Sequence, residues 1–170
     1  MTYQTQPTDF TYALHETQNG LSENIRVSAV EILQARLSDA VDLTTQTKQA
    51  HWTVRGPNFI ALHKLFDELH EEMDELSDLI AERLQALGGQ AQGTSRMAAA
   101  ATSLPEYPSA VTGGAEHVKA LSAVYAAFGD LVRADIDATA ELGDAVTSDV
   151  LTEVARAVDK ALWFIEAHAG

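Results

Sequence analysis

A chain of 170 residues with 46% hydrophobic and 21% charged side chains is long enough to bury the core of one packed domain. Its net charge of −14 at neutral pH speaks against binding polyphosphates through bulk charge and favours cations as small partners. Cysteine is absent, which excludes disulfides, thiolate catalysis, zinc ribbons and iron-sulfur clusters, so any metal must sit on nitrogen and oxygen.

The first stretch, MTYQTQPTDFTYALHETQNG, is polar, lacks lysine and arginine, and holds no run apolar enough for a secretory or membrane segment. It predicts a polar tail over 1–20, a cytoplasmic location and no membrane partner. From about Ser22 to Thr53, Ile25, Val30, Leu33, Leu37, Val41 and Thr44 recur at helical spacing and mark one buried face; the RGPN turn, Arg55 to Asn58, then stops the helix. A second helix is predicted from about Phe59 to Leu87, burying Leu62, Leu65, Phe66, Leu69, Met73, Leu76, Ile80, Leu84 and Leu87, with Gly88 and Gly89 as its stop. Gly93, Pro105, Pro108 and Gly113 break the stretch that follows, where Met97 to Ala101 is the one helix-compatible piece. Two further helices follow, from about Ala115 to Leu142 and from about Ser148 to Ala167, with Gly143 between them. Roughly 25 residues between the second and third long helices are enough to run the length of a bundle and start the next helix at its far end. The fold class expected is therefore all-α, a ferritin-like four-helix bundle over 21–170 with a short extra helix in the long connection.

The second long helix carries more than a core stripe. At about 100° per residue, His63, Asp67, His70, Asp74, Asp78 and Glu82 fall on a face separate from its apolar positions. Such a face is ordinarily solvated and nothing more. Here, however, imidazole and carboxylate recur four residues apart, at His63 with Asp67 and at Asp78 with Glu82, a spacing that lets each pair reach one cation. Basic partners are scarce on that face. His51 and His63 lie six residues either side of Pro57, opposite each other across the hairpin, so His51 becomes a third candidate ligand beside His63 and Asp67. Two imidazoles with a carboxylate suit iron, zinc or manganese better than calcium or magnesium.

Asp67 and Asp78 are separated by roughly 16 Å along a helix, so they cannot hold one ion within a single chain. A second copy running antiparallel would bring Asp67 to Asp78 and His63 to Glu82, because both pairs have their midpoint between Glu72 and Met73. The spacing thus predicts an isologous dimer with two identical sites, each built from His51, His63 and Asp67 of one subunit and Asp78 and Glu82 of the other.

The run KQAHWTVRGPNFIALHKLFDELHEEMDELSDLIAERLQALGG, Lys48 to Gly89, resembles the signature of the Dps proteins, the miniferritins, and DKALWFIEAH resembles their last helix. The resemblance extends along nearly the whole chain. It implies ferroxidase ligands at His51, His63, Asp67, Asp78 and Glu82, with no departure in residue type. It further implies a hollow dodecamer that oxidises Fe(II), preferably with hydrogen peroxide over O2, and stores Fe(III) mineral, with Zn2+ or Mn2+ as competitors. Trp52, beside His51, is expected either to donate electrons in that chemistry or simply to pack. No Glu-x-x-His, the motif by which other di-iron bundles hold metal inside one chain, occurs in the sequence.

Glu141, Asp144 and Asp149 match the region lining the family's three-fold pores, although Asp149 equally suits a helix cap. Glu68, Glu71, Glu72 and Glu75 are candidate nucleation residues, His70 and Asp74 are expected to pair across the dyad or else to form a further metal site, and His15, His117 and His168 read as surface or tail histidines. Some members of the family bind DNA through a lysine-rich tail, but residues 1–25 contain no Lys or Arg, so direct DNA binding is not expected. The alternative reading is a DNA-condensing or structural oligomer with a vestigial metal site.

Overall fold

The computed structural model describes residues 14–169. Four long helices and one short one account for most of them: α1 Glu23–Thr53, α2 Phe59–Ala86, α3 Ser95–Ala101, α4 Gly114–Glu141 and α5 Ala145–Glu166. Each long helix turns its apolar stripe inward. Leu33 and Leu43 of α1, Phe66 and Ile80 of α2, Tyr125 and Phe128 of α4, and Leu151 and Ile165 of α5 meet in one shared core. Ile25 and Val41, expected on the buried face of α1, lie at its edge and are only partly covered.

Side-chain pairs give the helix directions. His51 meets His63, Lys48 meets Asp67, and His70 reaches the Thr44 carbonyl, so α1 and α2 run antiparallel. Arg36 with Asp135 and Thr47 with Tyr125 set α4 antiparallel to α1. Glu72 with Lys160 and Arg83 with Asp144 set α5 antiparallel to α2. It follows that α2 and α4 run in the same direction, and the connection between them must climb the full bundle, as its length predicted.

That crossover is fastened along α1 by polar side chains whose spacing gave no apolar signal. Gln34 exchanges hydrogen bonds with the backbone of Gln92, Asp39 accepts from the Ser103 amide at 2.7 Å and from the Thr102 hydroxyl at 3.0 Å, and Gln46 donates to the Pro105 carbonyl. At its end, the Arg55 amide donates to the Thr112 carbonyl and the Glu116 carboxylate accepts from the Gly113 amide, which starts α4 beside the α1–α2 turn. Gly114 follows because a Cβ there would sit 2.7 Å from the Leu62 methyl. At the other end, Gly88 takes a left-handed φ of 89° and accepts the His15 amide on its carbonyl at 2.7 Å. Residues 14–20 of the expected tail therefore lie against the bundle end; residues 1–13 lie outside the described residues.

The chain departs from the sequence expectation around the start of α5 and at His117. The last helix begins at Ala145, three residues before the predicted start, because Asp144 caps it: Oδ1 accepts from the Thr147 amide at 3.0 Å. Asp144 is 1% exposed and both its oxygens are taken by Arg83, at 2.8 and 3.1 Å. The proposed pore role is thus withdrawn for Asp144, since its carboxylate is already paired inside the fold. Asp149 is not the cap; it is an exposed residue one turn into α5, as Glu141 is exposed at the end of α4. His117 is not a surface residue but fully buried, hydrogen-bonded to Tyr107. His15 and His168 are exposed as expected.

Candidate metal centre

Where α1 ends and α2 begins, the antiparallel hairpin brings the two histidines into contact. Their rings stack with centroids 3.8 Å apart. His51 Nδ1 lies 2.8 Å from the His63 carbonyl and His63 Nδ1 lies 2.9 Å from the His51 carbonyl. A carbonyl oxygen can only accept, so each Nδ1 carries the hydrogen, and Nε2 is the nitrogen left to offer a lone pair to a metal. This reciprocal backbone pairing is the arrangement that fixes tautomer and ring orientation in imidazole metal ligands.

Asp67, one turn after His63, completes the cluster, with its Oδ1 3.6 Å from His51 Nδ1. The same oxygen is held at 2.5 Å by the ammonium of Lys48. That hydrogen bond and the charge of Lys48 keep the Asp67 carboxyl below the usual carboxylate range against the opposing effect of burial. Lys48 is a basic partner that the acidic face of α2 does not itself announce. The register that pairs His51 with His63 also pairs Lys48 with Asp67, so the signal lay on the neighbouring helix and not on the acidic face itself.

Asp78 and Glu82 do not join this cluster. They are exposed on the same outer face of α2, three to four turns further along. Among the described residues, no group of three or more histidine and carboxylate side chains is arranged to hold a metal ion within the one chain, His51, His63 and Asp67 included. One chain therefore presents two imidazoles and a carboxylate at one end of the α2 stripe and two free carboxylates at the other. His70 turns its Nδ1 to the Thr44 carbonyl at 3.2 Å, and Asp74 is exposed beside it. Glu68, Glu71 and Glu75 are exposed, whereas Glu72 pairs with Lys160 at 3.3 Å. Trp52 is 68% exposed, so within the chain it does not serve as core packing.

A ferritin-like domain model matches residues 30–170, which places the chain in the class of ferritin-like bundles. The DNA protection during starvation protein of Agrobacterium fabrum is 40% identical over 154 residues, spanning 91% of this chain and 95% of its own length. That of Mycolicibacterium smegmatis is 32% identical over 149 residues, spanning 88% and 81%. Among solved structures, DpsC from Streptomyces coelicolor superposes with a TM-score of 0.88 at 31% identity, covering 92% of each chain. The chain belongs to the Dps family of ferritin-like proteins. Fold and family together support an iron-binding, miniferritin function. No described helix is long and apolar enough to cross a membrane.

Proposed function

We propose that the protein is a ferroxidase and iron store that binds Fe(II) between two subunits, oxidises it with hydrogen peroxide in preference to O2, and deposits the Fe(III) product inside a hollow dodecamer. The observation that carries this reading is the reciprocal Nδ1–carbonyl pairing of His51 and His63, which leaves Nε2 of each ring as the nitrogen to offer a metal, with the Asp67 carboxylate one helical turn further on. The half-set is completed by Asp78 and Glu82 of the partner subunit when two α2 helices lie antiparallel about the point between Glu72 and Met73. Carboxylates are hard anionic donors that favour Fe(III) over Fe(II), so the ligand set itself assists oxidation. With few protein ligands the ferrous ion keeps open positions for the oxidant. Zn2+ and Mn2+ fit the same donors and would compete.

On the assembled shell, Glu141 and Asp149 would concentrate cations at the entry pores, and Glu68, Glu71, Glu72 and Glu75 would nucleate mineral on the cavity side. His70 and Asp74, near the dyad, would pair between subunits. Removing Fe(II) and peroxide together protects against oxidative damage, a cytoplasmic role.

The test uses variants that each spoil one half of the site. His63→Ala and Asp78→Ala homo-oligomers are expected to lose peroxide-driven Fe(II) oxidation, followed by the ultraviolet absorbance of the ferric product. Mixed assembly of the two should restore a fraction of the sites, because one subunit pair then places both native halves at one interface. Full activity in either single variant would sink the shared-site reading. Absence of catalysed oxidation in the native shell would favour the structural or DNA-condensing alternative.

A further inference from the structure

Away from the ligand stripe, one polar pair is built with unusual closeness. Tyr107 lies on the crossover and His117 on the first turn of α4, with the phenol oxygen 2.5 Å from His117 Nδ1. The neighbouring groups decide where the hydrogens are. The Thr53 hydroxyl gives its own hydrogen to the Gln49 carbonyl at 2.7 Å, so it offers only a lone pair to His117 Nε2, 3.5 Å away. Nε2 therefore carries the ring hydrogen, Nδ1 is bare, and the Tyr107 phenol donates to it. Burial pulls the His117 imidazolium below the usual histidine range, so the ring is a neutral base at pH 7. Burial also pushes the Tyr107 phenol up, so it does not ionise spontaneously.

A phenol hydrogen-bonded to a neutral imidazole can lose an electron and a proton together. Tyr125, the other described tyrosine, cannot do this. Its hydroxyl meets Thr47 Oγ1 at 3.1 Å, and that threonine spends its own hydrogen on the Leu43 carbonyl. Threonine is no base, and oxidising Tyr125 would strand a proton in the core.

Tyr107 also has a route to the metal half-site. Trp52 follows the ligand His51 in sequence, is exposed, and lines with Tyr107 the same depression of about 630 Å³ between α1 and the crossover. Thr53, the next residue, touches the histidine of the pair.

We propose that Tyr107 is a one-electron redox residue, with His117 as its proton acceptor, that draws oxidising equivalents off Trp52. The source of those equivalents rests on the iron chemistry proposed above: a one-electron oxidant of the hydroxyl-radical class, formed where Fe(II) meets peroxide. That oxidant takes an electron and the N–H proton from the Trp52 indole and leaves as water. The indolyl radical then takes an electron from Tyr107 and a proton from solvent, which restores Trp52. The phenol proton passes to His117 Nδ1, leaving a neutral phenoxyl radical hydrogen-bonded to an imidazolium. A ferrous ion returns the electron and becomes ferric, and His117 returns the proton. The oxidant is thereby spent on ferrous ion and not on the shell or its surroundings.

The experiment uses the assembled, iron-free protein carrying Trp163→Phe throughout, because Trp163 is as exposed as Trp52, and the azide radical as oxidant, in pulse radiolysis. In that background the indolyl absorption should decay as a phenoxyl band grows. Trp52→Phe should lower the phenoxyl yield, and Tyr107→Phe should abolish that growth and leave the indolyl radical long-lived. His117→Gln keeps a hydrogen-bond acceptor for the phenol but no base, and should slow the step by roughly 100-fold. Phenoxyl growth that persists unchanged in Tyr107→Phe, or a native rate in His117→Gln, would overturn the proposal and leave the pair a packing contact. With no iron in the sample, a negative result leaves the ferroxidase reading standing, and an inactive iron site leaves this measurement readable.

Discussion

The Lys48 ammonium holds Asp67 where a divalent cation would have to approach. A metal arriving at His51, His63 and Asp67 must displace that contact or share the carboxylate, so Lys48 weakens the first ion bound. A unit charge about 4 Å from a cation costs roughly 1 kcal/mol in a water-like dielectric, close to a fivefold change in affinity. Lys48→Met is accordingly expected to tighten Zn(II) binding about fivefold, measured by competition with a chromophoric chelator. In that variant the Asp67 carboxyl climbs back toward its ordinary range, because the hydrogen bond that lowers it is gone. An affinity unchanged or weakened would show that the lysine orients Asp67 for the metal and does not oppose it.

Among the elements, the junction of α4 and α5 depends most on a single charge. Asp144 caps α5 through the Thr147 amide and anchors it to α2 through Arg83, whose Nε also reaches the Thr147 hydroxyl at 2.9 Å. Burial raises the Asp144 carboxyl, but the Thr147 hydrogen bonds and the Arg83 guanidinium outweigh it and hold the group below the usual carboxylate range. A carboxyl depressed on folding stabilises the folded state above its unfolded value of about 3.9 and ceases to do so as pH falls through the lower folded value. Asp144→Ala should cost about 3 kcal/mol at neutral pH, since it removes a cap and leaves a largely buried guanidinium unpaired. Chemical denaturation at pH 7 and again near pH 3 checks this: the deficit should shrink on acidification. A deficit equal at both pH values would mean that packing, and not the charge, holds the junction.

At the scale of the whole molecule, charge decides what the outer surface can bind. The net charge is −14, and Arg36, Lys48, Arg83, Arg133 and Lys160 are each already held by a carboxylate within the chain. No Lys or Arg lies in residues 1–25, and the cations left over are outweighed by 25 acidic side chains, so little counterion release from a DNA backbone is expected. A gel shift with duplex DNA at neutral pH and physiological salt is expected to show no retardation; salt-sensitive retardation without a bridging metal would refute this. The same scale governs the proposed site, whose two halves on the α2 stripe would meet only across a dimer.

Helix periodicity, the Gly88 stop and the length of the crossover made the bundle, its topology and the stripe from His63 to Glu82 legible in the chain alone, because each depends on local spacing and on how far a connection can reach. The hold of Arg83 on Asp144, the contact of His117 with Thr53 and the hold of Lys48 on Asp67 were not legible in that way. Each is a polar contact between elements distant in sequence, and a carboxylate, an imidazole or an ammonium has the same local signature whether it meets water or a partner. Only the packed tertiary structure decides which of the two it meets, since desolvation is set by what the rest of the fold lays over the group and by nothing in its immediate neighbours.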